Sequence, residues 1–151
     1  MRQQFNDAMK EAMKSGDKAR LSTIRLIIAA IKDRDIQARG DGKETATDDE
    51  LLQLLQKMAK QRTDSIEAFT AAGRTDLVEK EAAEKAIIET FLPQQMGPEE
   101  TRAAIAAVIA ETGAAGMKDM GKVMAALKAK HAGVMDFSKA NGVVKELLTA
   151  G

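Results

Sequence analysis

Apolar residues in this chain recur at three- and four-residue intervals, and each run of that pattern is cut by glycine or proline. The cuts fall at Ser15-Gly16, Gly40-Asp41-Gly42, Gly73, Pro93 to Pro98 and Gly113. A period near 3.6 gathers side chains on one face of a helix, whereas a strand needs strict alternation. The segments between the cuts are rich in Ala, Leu, Met, Lys, Glu and Gln, residues that lose little freedom in a helix. Trp and Tyr are absent, and the four Phe stand scattered at 5, 69, 91 and 137. The fold class read from this pattern is all-α.

The first helix is expected over 3–14, with Phe5, Met9 and Met13 as its apolar face. Asp17 is a natural N-cap for a second helix over 18–38. Leu21, Ile24, Ile28 and Ile31 form its inward stripe, widened by Ile27 and Ile36. Thr47 and Glu50 have capping-box spacing, in which each side chain satisfies the other's amide. The third helix then runs to about Ala72, with Leu51, Leu54, Leu55, Met58, Arg62, Ser65, Ile66 and Phe69 along or beside one face. Gly73 supplies its left-handed end. Thr75 is expected to cap a fourth helix ending at Leu92, before Pro93. Its inward residues are read as Leu77, Val78, Ala82, Ile88, Phe91 and Leu92.

The short stretch from Pro93 to Pro98 is the best boundary in the chain. It divides an N-terminal four-helix domain, 1–93, from a C-terminal three-helix domain, 94–151. Pro98 at the first helical position, with Glu99 and Glu100 behind it, starts the fifth helix. A sixth is expected over 119–130 and a seventh over 138–149. Three short helices bury little surface, so the second domain is marginal alone.

Cysteine is absent, which excludes disulfide scaffolds and thiolate metal sites. His131 is the one histidine, and Lys128 stands three residues before it, so the Glu-x-x-His motif of di-iron bundles is missing. No metal and no cofactor are expected, and no catalytic residue is assigned. The longest apolar run, Leu26 to Ile31, is far below the ~20 residues of a membrane span. The first sixteen residues contain no apolar signal core, and Asp7 and Glu11 argue against a transit peptide. The expected location is therefore the cytoplasm.

Charge carries more information. Positive and negative side chains balance overall, but from Lys118 to Lys145 six lysines stand against two acids, Asp119 and Asp136. The lysines are 118, 122, 128, 130, 139 and 145, and such a segment can meet phosphates. Asp119-Met120-Gly121-Lys122 opens the sixth helix, where free amides and a lysine suit an anion. Gly121 permits close backbone approach, to a phosphate or to another helix. With no Trp or Tyr, stacking of bases on an aromatic platform is poorly supported.

A second cluster comprises Lys60, Arg62, Arg74, Glu81 and Glu84. Arg62 lies four residues from both Met58 and Ile66 and flanks the inward stripe, where it needs a carboxylate. Glu81 and Glu84 can supply one across a helical hairpin. The cluster reads as an interhelix ion-pair network, with Arg74 left open between that role and a phosphate grip.

With these residues in view, the chain resembles the GatB/YqeY family across essentially its whole length. The resemblance rests on LSTIRLIIAAIK (21–32), KQRTDSIEAF (60–69), AGRTDL (72–77), EKEAAEKAIIETFLPQQM (79–96), DMGKVMAALK (119–128) and VVKELL (143–148). Position 91 is Phe where such proteins often carry Tyr, and Gly142 weakens the last helix. The resemblance implies a four-helix part followed by a three-helix part. It also implies kinship with the tail of the B subunit of the tRNA-dependent Asp/Glu amidotransferase, a tRNA-contacting appendage separate from the catalytic cradle. What it implies for this chain is tRNA contact through Lys118, Lys122, Lys128 and Lys130, with Lys139 and Lys145 in support and Gly121 as a packing or close-approach residue. Two other readings stand beside it. One is a component of glutamine-dependent amide transfer, a carbon–nitrogen ligase activity. The other is a protein-interaction module docking a protein partner on an exposed apolar face of the N-terminal helices.

Overall fold

The computed structural model describes residues 1–150, and among them it contains seven α-helices, one 3-10 turn and no strand. The fold is all-α. The helices are α1 (Arg2–Ser15), α2 (Lys18–Gly40), α3 (Asp48–Ala71), α4 (Thr75–Glu89), α5 (Pro98–Thr112), α6 (Met120–His131) and α7 (Phe137–Ala150), with the 3-10 turn at Met117–Asp119 before α6. They fall into two compact units that divide between Leu92 and Pro93.

In the first unit α2 packs against α1, α3 and α4, and α3 pairs most closely with α4. Local chemistry sets the helix ends. The Asp17 carboxylate accepts the Arg20 amide at 3.1 Å at the start of α2. The Thr47 hydroxyl accepts the Glu50 amide at 3.2 Å at the start of α3. The return half of that capping box does not form, because the Glu50 carboxylate instead meets Lys43 Nζ at 2.7 Å and Arg34 at 2.5 Å. Two cations outcompete one amide for a carboxylate. The α3–α4 turn is a Schellman motif around Gly73, whose φ is 72°. The Arg74 amide donates to the Phe69 carbonyl at 2.9 Å and the Gly73 amide to Thr70 at 3.1 Å. Thr75 does not cap α4. It is the first helical residue, and Arg74 occupies the cap position without a side-chain hydrogen bond.

The core of this unit is Phe5, Ile27, Ile31, Ala38, Ala46, Leu51, Leu55, Met58, Ala59 and Ile88, with Ala8, Ala12 and Ile24 adjoining. The Phe5 and Phe91 rings meet with centroids 4.8 Å apart and planes tilted by 42°. Two expected inward residues face out: Met13 is 56% exposed and Ile36 is 62% exposed. The cause is angular. A four-residue step overshoots a turn by roughly 40°, so two steps carry Met13 about 80° away from Phe5. Ala12, seven residues on, returns to within roughly 20° and is buried instead. On α2 the inward place after Ile31 passes to Ala38. On α4 only Ile88 is fully buried; Leu77 and Val78 are half-buried and Ala82 is exposed.

The second unit has its own core of Ile105, Val108, Val123, Leu127, Met135, Ala140, Val144 and Leu148. Its three helices each contact the other two. Pro98 stands in the first turn of α5 behind Gly97 at the cap position, and Glu99 and Glu100 follow. The Asp136 carboxylate accepts the Ser138 and Lys139 amides at 3.0 and 3.3 Å, starting α7. The Met96 amide donates to the Val134 carbonyl at 2.8 Å, fastening the entry segment to the α6–α7 turn.

Candidate nucleic-acid interface and the α3–α4 ion pair

The six lysines of the second unit sit on three elements. Lys118 lies on the 3-10 turn, Lys122, Lys128 and Lys130 on α6, and Lys139 and Lys145 on α7. All six are exposed, because Val123, Leu127, Ala140, Val144 and Leu148 take the inward positions of these helices. Six residues separate Lys122 from Lys128 and Lys139 from Lys145, which sets each pair roughly 120° apart around its helix. The lysines therefore spread over the outside of the unit instead of forming one line.

Their local roles differ. Lys122 Nζ donates to the Thr112 carbonyl at 3.1 Å, and Lys130 pairs with Glu111. Both thus reach the last turn of α5, where unpaired carbonyls gather negative potential. No hydrogen bond or ion pair joins the side chains of Lys118, Lys128, Lys139 or Lys145 to another described residue. The two acids of this stretch face amides. Asp119 accepts from the Ala115 amide at 2.9 Å, and Asp136 caps α7. None of these four lysines forms an ion pair among the described residues, although Asp119 and Glu146 follow Lys118 and Lys145 in sequence and Asp136 caps the turn that carries Lys139.

Gly121 is exposed near the start of α6, and a Cβ built there would meet nothing within 4 Å. Helix packing within the described residues gives no reason for glycine at this position. His131 ends α6, and its carbonyl accepts from the Val134 and Met135 amides, both at 3.2 Å.

The other cluster joins α3 to α4. Arg62 Nε lies 2.9 Å from Glu84 and 3.6 Å from Glu81, with the three side chains 17%, 16% and 19% exposed. Glu81 and Glu84 are three residues apart on one face of α4, so both can meet one guanidinium. Arg74 turns to Asp76 at 3.3 Å, and that hydrogen bond holds the Asp76 carboxyl below its usual range. Lys60 is exposed and takes part in none of the ion pairs among the described residues. With both partly buried carboxylates engaged by one arginine, the cluster ties α3 to α4.

Two further features bear on chemistry. A cleft of about 370 Å³ opens between α2 and α3, and its charges, Asp33 and Glu50 against Arg34 and Lys57, cancel. Among the described residues there is no group of three or more His, Asp or Glu side chains placed to hold a metal ion. No helix of the described chain is long and apolar enough to cross a membrane.

Similarity to known proteins adds an independent line. The model of a family described as Yqey-like protein matches residues 2–148. The curated relatives include "Altered inheritance of mitochondria protein 41, mitochondrial" from Lachancea thermotolerans, 42% identical over 87 residues, or 57% of this chain and 44% of the relative. The protein of that name from Pyrenophora tritici-repentis is 42% identical over 83 residues, covering 55% and 44%. That of Saccharomyces cerevisiae is 36% identical over 86 residues, covering 57% and 45%. The matched stretch is less than half the length of each of these relatives.

Proposed function

The chain belongs to the YqeY-like protein family, and from that membership and its lysine-bearing second unit we propose that it is a non-catalytic, tRNA-associated helical module. The observation that carries the reading is the set of four exposed lysines without acidic partners, Lys118, Lys128, Lys139 and Lys145. Unpaired cations on a rigid helical surface release counterions from a polyanion, which favours association with phosphates. Without Trp or Tyr, such contacts follow the backbone and shape of a folded RNA. The resemblance to the tail of the amidotransferase B subunit points to tRNA in particular. The cytoplasmic setting expected from the sequence is not required. The fungal relatives carry mitochondrial names, and mitochondria also hold tRNA.

The test is a titration against bulk tRNA and against duplex DNA of similar charge, at low and physiological salt, beside Lys128→Glu/Lys145→Glu. The side chains of these two lysines are exposed and make no hydrogen bond or ion pair among the described residues, so the variant is expected to keep its fold. Binding that prefers tRNA and is lost in the variant supports the module. Binding that is absent, or equal for both nucleic acids and gone at physiological salt, overturns it. Conversion of Glu-tRNA or Asp-tRNA with glutamine and ATP would instead establish the amide-transfer reading.

A further inference from the structure

Lys18, Arg25, Lys32 and Arg39 stand seven residues apart along α2. Seven residues fall roughly 20° short of two full helical turns, so the four cations keep to one side of α2 and drift by about 60° in all. At 1.5 Å per residue they mark out a line of about 31 Å with a cation every ~10.5 Å. All four are exposed. The side chains of Lys18, Arg25 and Lys32 form no hydrogen bond or ion pair among the described residues, while Arg39 donates to the Glu44 carbonyl at 3.4 Å and lies in the field of Asp35 one turn away. Between them on the same side lie Ser22, Ala29 and Ile36, all exposed.

The acids beside this line are engaged mainly with other groups, with Asp35 acting on Arg39 alone. Asp35 lies on one flank, roughly 40° from Arg39 and 100° from Lys18, and its carboxylate is bound by Arg2 and the Ala46 amide. Asp33 lies roughly 80° to the other flank and belongs to the α2–α3 cleft. Only one large apolar side chain, Ile36, interrupts the line. Insertion into a lipid surface calls for a continuous apolar face, which is lacking here. A regular row of one charge sign with small residues between suits a linear polyanion that runs along the helix.

We propose that the outer face of α2 is a second docking surface, for the phosphodiester backbone of an RNA strand. The surface lies in the first unit and shares no residue with the lysines of the second. It shares the partner class of the tRNA reading, but either surface can fail alone. Lys18, Arg25, Lys32 and Arg39 contact phosphates, and Ser22 and Ala29 let the strand lie close to the helix.

The experiment uses the full chain with Arg25→Glu/Lys32→Glu, and in parallel Arg25→Gln/Lys32→Gln, against bulk tRNA over a salt series. Helical circular dichroism and a thermal melt serve as the folding check. The α2 variants are expected to melt as the parent does and to bind tRNA at least about tenfold more weakly at low salt. The slope of log affinity against log salt should fall by about 1.4 to 1.8 for two lost phosphate contacts. Affinity and slope within about twofold of the parent would overturn the proposal, as would a loss seen only with glutamate, whose new charge repels any polyanion. Lys128→Glu/Lys145→Glu tests the second unit separately. Vesicles of equimolar phosphatidylserine and phosphatidylcholine form the remaining arm. Vesicle binding that the α2 variants abolish while tRNA binding is unchanged would make this face a membrane-surface contact and overturn the RNA assignment.

Discussion

Arg2 lays its two terminal guanidinium nitrogens against the two oxygens of Asp35 at 2.8 and 2.7 Å. The same arginine donates to the Ala46 carbonyl at 2.9 Å, and Asp35 accepts the Ala46 amide at 2.9 Å. One carboxylate therefore fastens the start of α1, the body of α2 and the residue before the α3 cap. A bidentate, charge-assisted pair of this kind has a fixed geometry.

The Arg2 hydrogen bond is the largest influence on Asp35 and holds its carboxyl at about 2, well below the usual 3.8. A carboxyl depressed on folding contributes stability above its unfolded value, and that stability drains away as pH falls through the folded one. Stability should be level above about pH 5 and decline between about pH 4 and pH 2. The loss expected from this group is on the order of 1–2 kcal/mol, allowing for solvent at the half-exposed Arg2. Urea melts of the parent and Asp35→Asn across this range check it: the variant should start less stable and show a shallower acid decline.

Arg62 should couple more strongly to Glu84 than to Glu81, because the contacts are 2.9 and 3.6 Å. Removing the arginine strands two partly buried carboxylates, so Arg62→Ala should cost about 1–3 kcal/mol, more than either glutamate alone. Double-mutant cycles by chemical denaturation measure both couplings. Equal couplings would contradict the geometry.

Gly142 lies inside α7, and a Cβ there would meet nothing within 4 Å. Gly142→Ala should therefore raise the stability of the protein by about 0.5–1 kcal/mol, since alanine loses less backbone freedom. Gly121→Ala should stabilise α6 in the same way. If RNA backbone approaches α6 closely at Gly121, that second variant will melt higher and yet bind tRNA more weakly. A thermal melt and a tRNA titration on the same sample separate the two effects.

Lys122 and Lys128 should part company. Lys122→Ala removes the donor to the Thr112 carbonyl and should lower stability by about 0.5–1 kcal/mol. Lys128→Ala removes no internal partner and should leave the melting temperature unchanged. Its effect should appear in the salt slope of tRNA binding, which should fall by about 0.7–0.9.

By itself the sequence determined the class of fold, the order of seven helices and the position of the breaks between them. Periodicity, Gly73 and the cap residues Asp17 and Thr47 act within a turn or two of themselves, and such interactions can be read locally. The sequence also singled out the lysines of α6 and α7 and the charges that join α3 to α4. It placed Met13 and Ile36 inside, because spacing by fours looks like a face until the angular drift of a real helix is added. Asp35 drew no attention in the sequence, since its partners Arg2 and Ala46 lie 33 and 11 residues away. For the same reason only the structure separates Lys122 and Lys130, held to the end of α5, from four lysines with no internal partner. Which acid a cation meets depends on helices brought together by core burial, and that burial is a property of the whole unit rather than of any stretch within it.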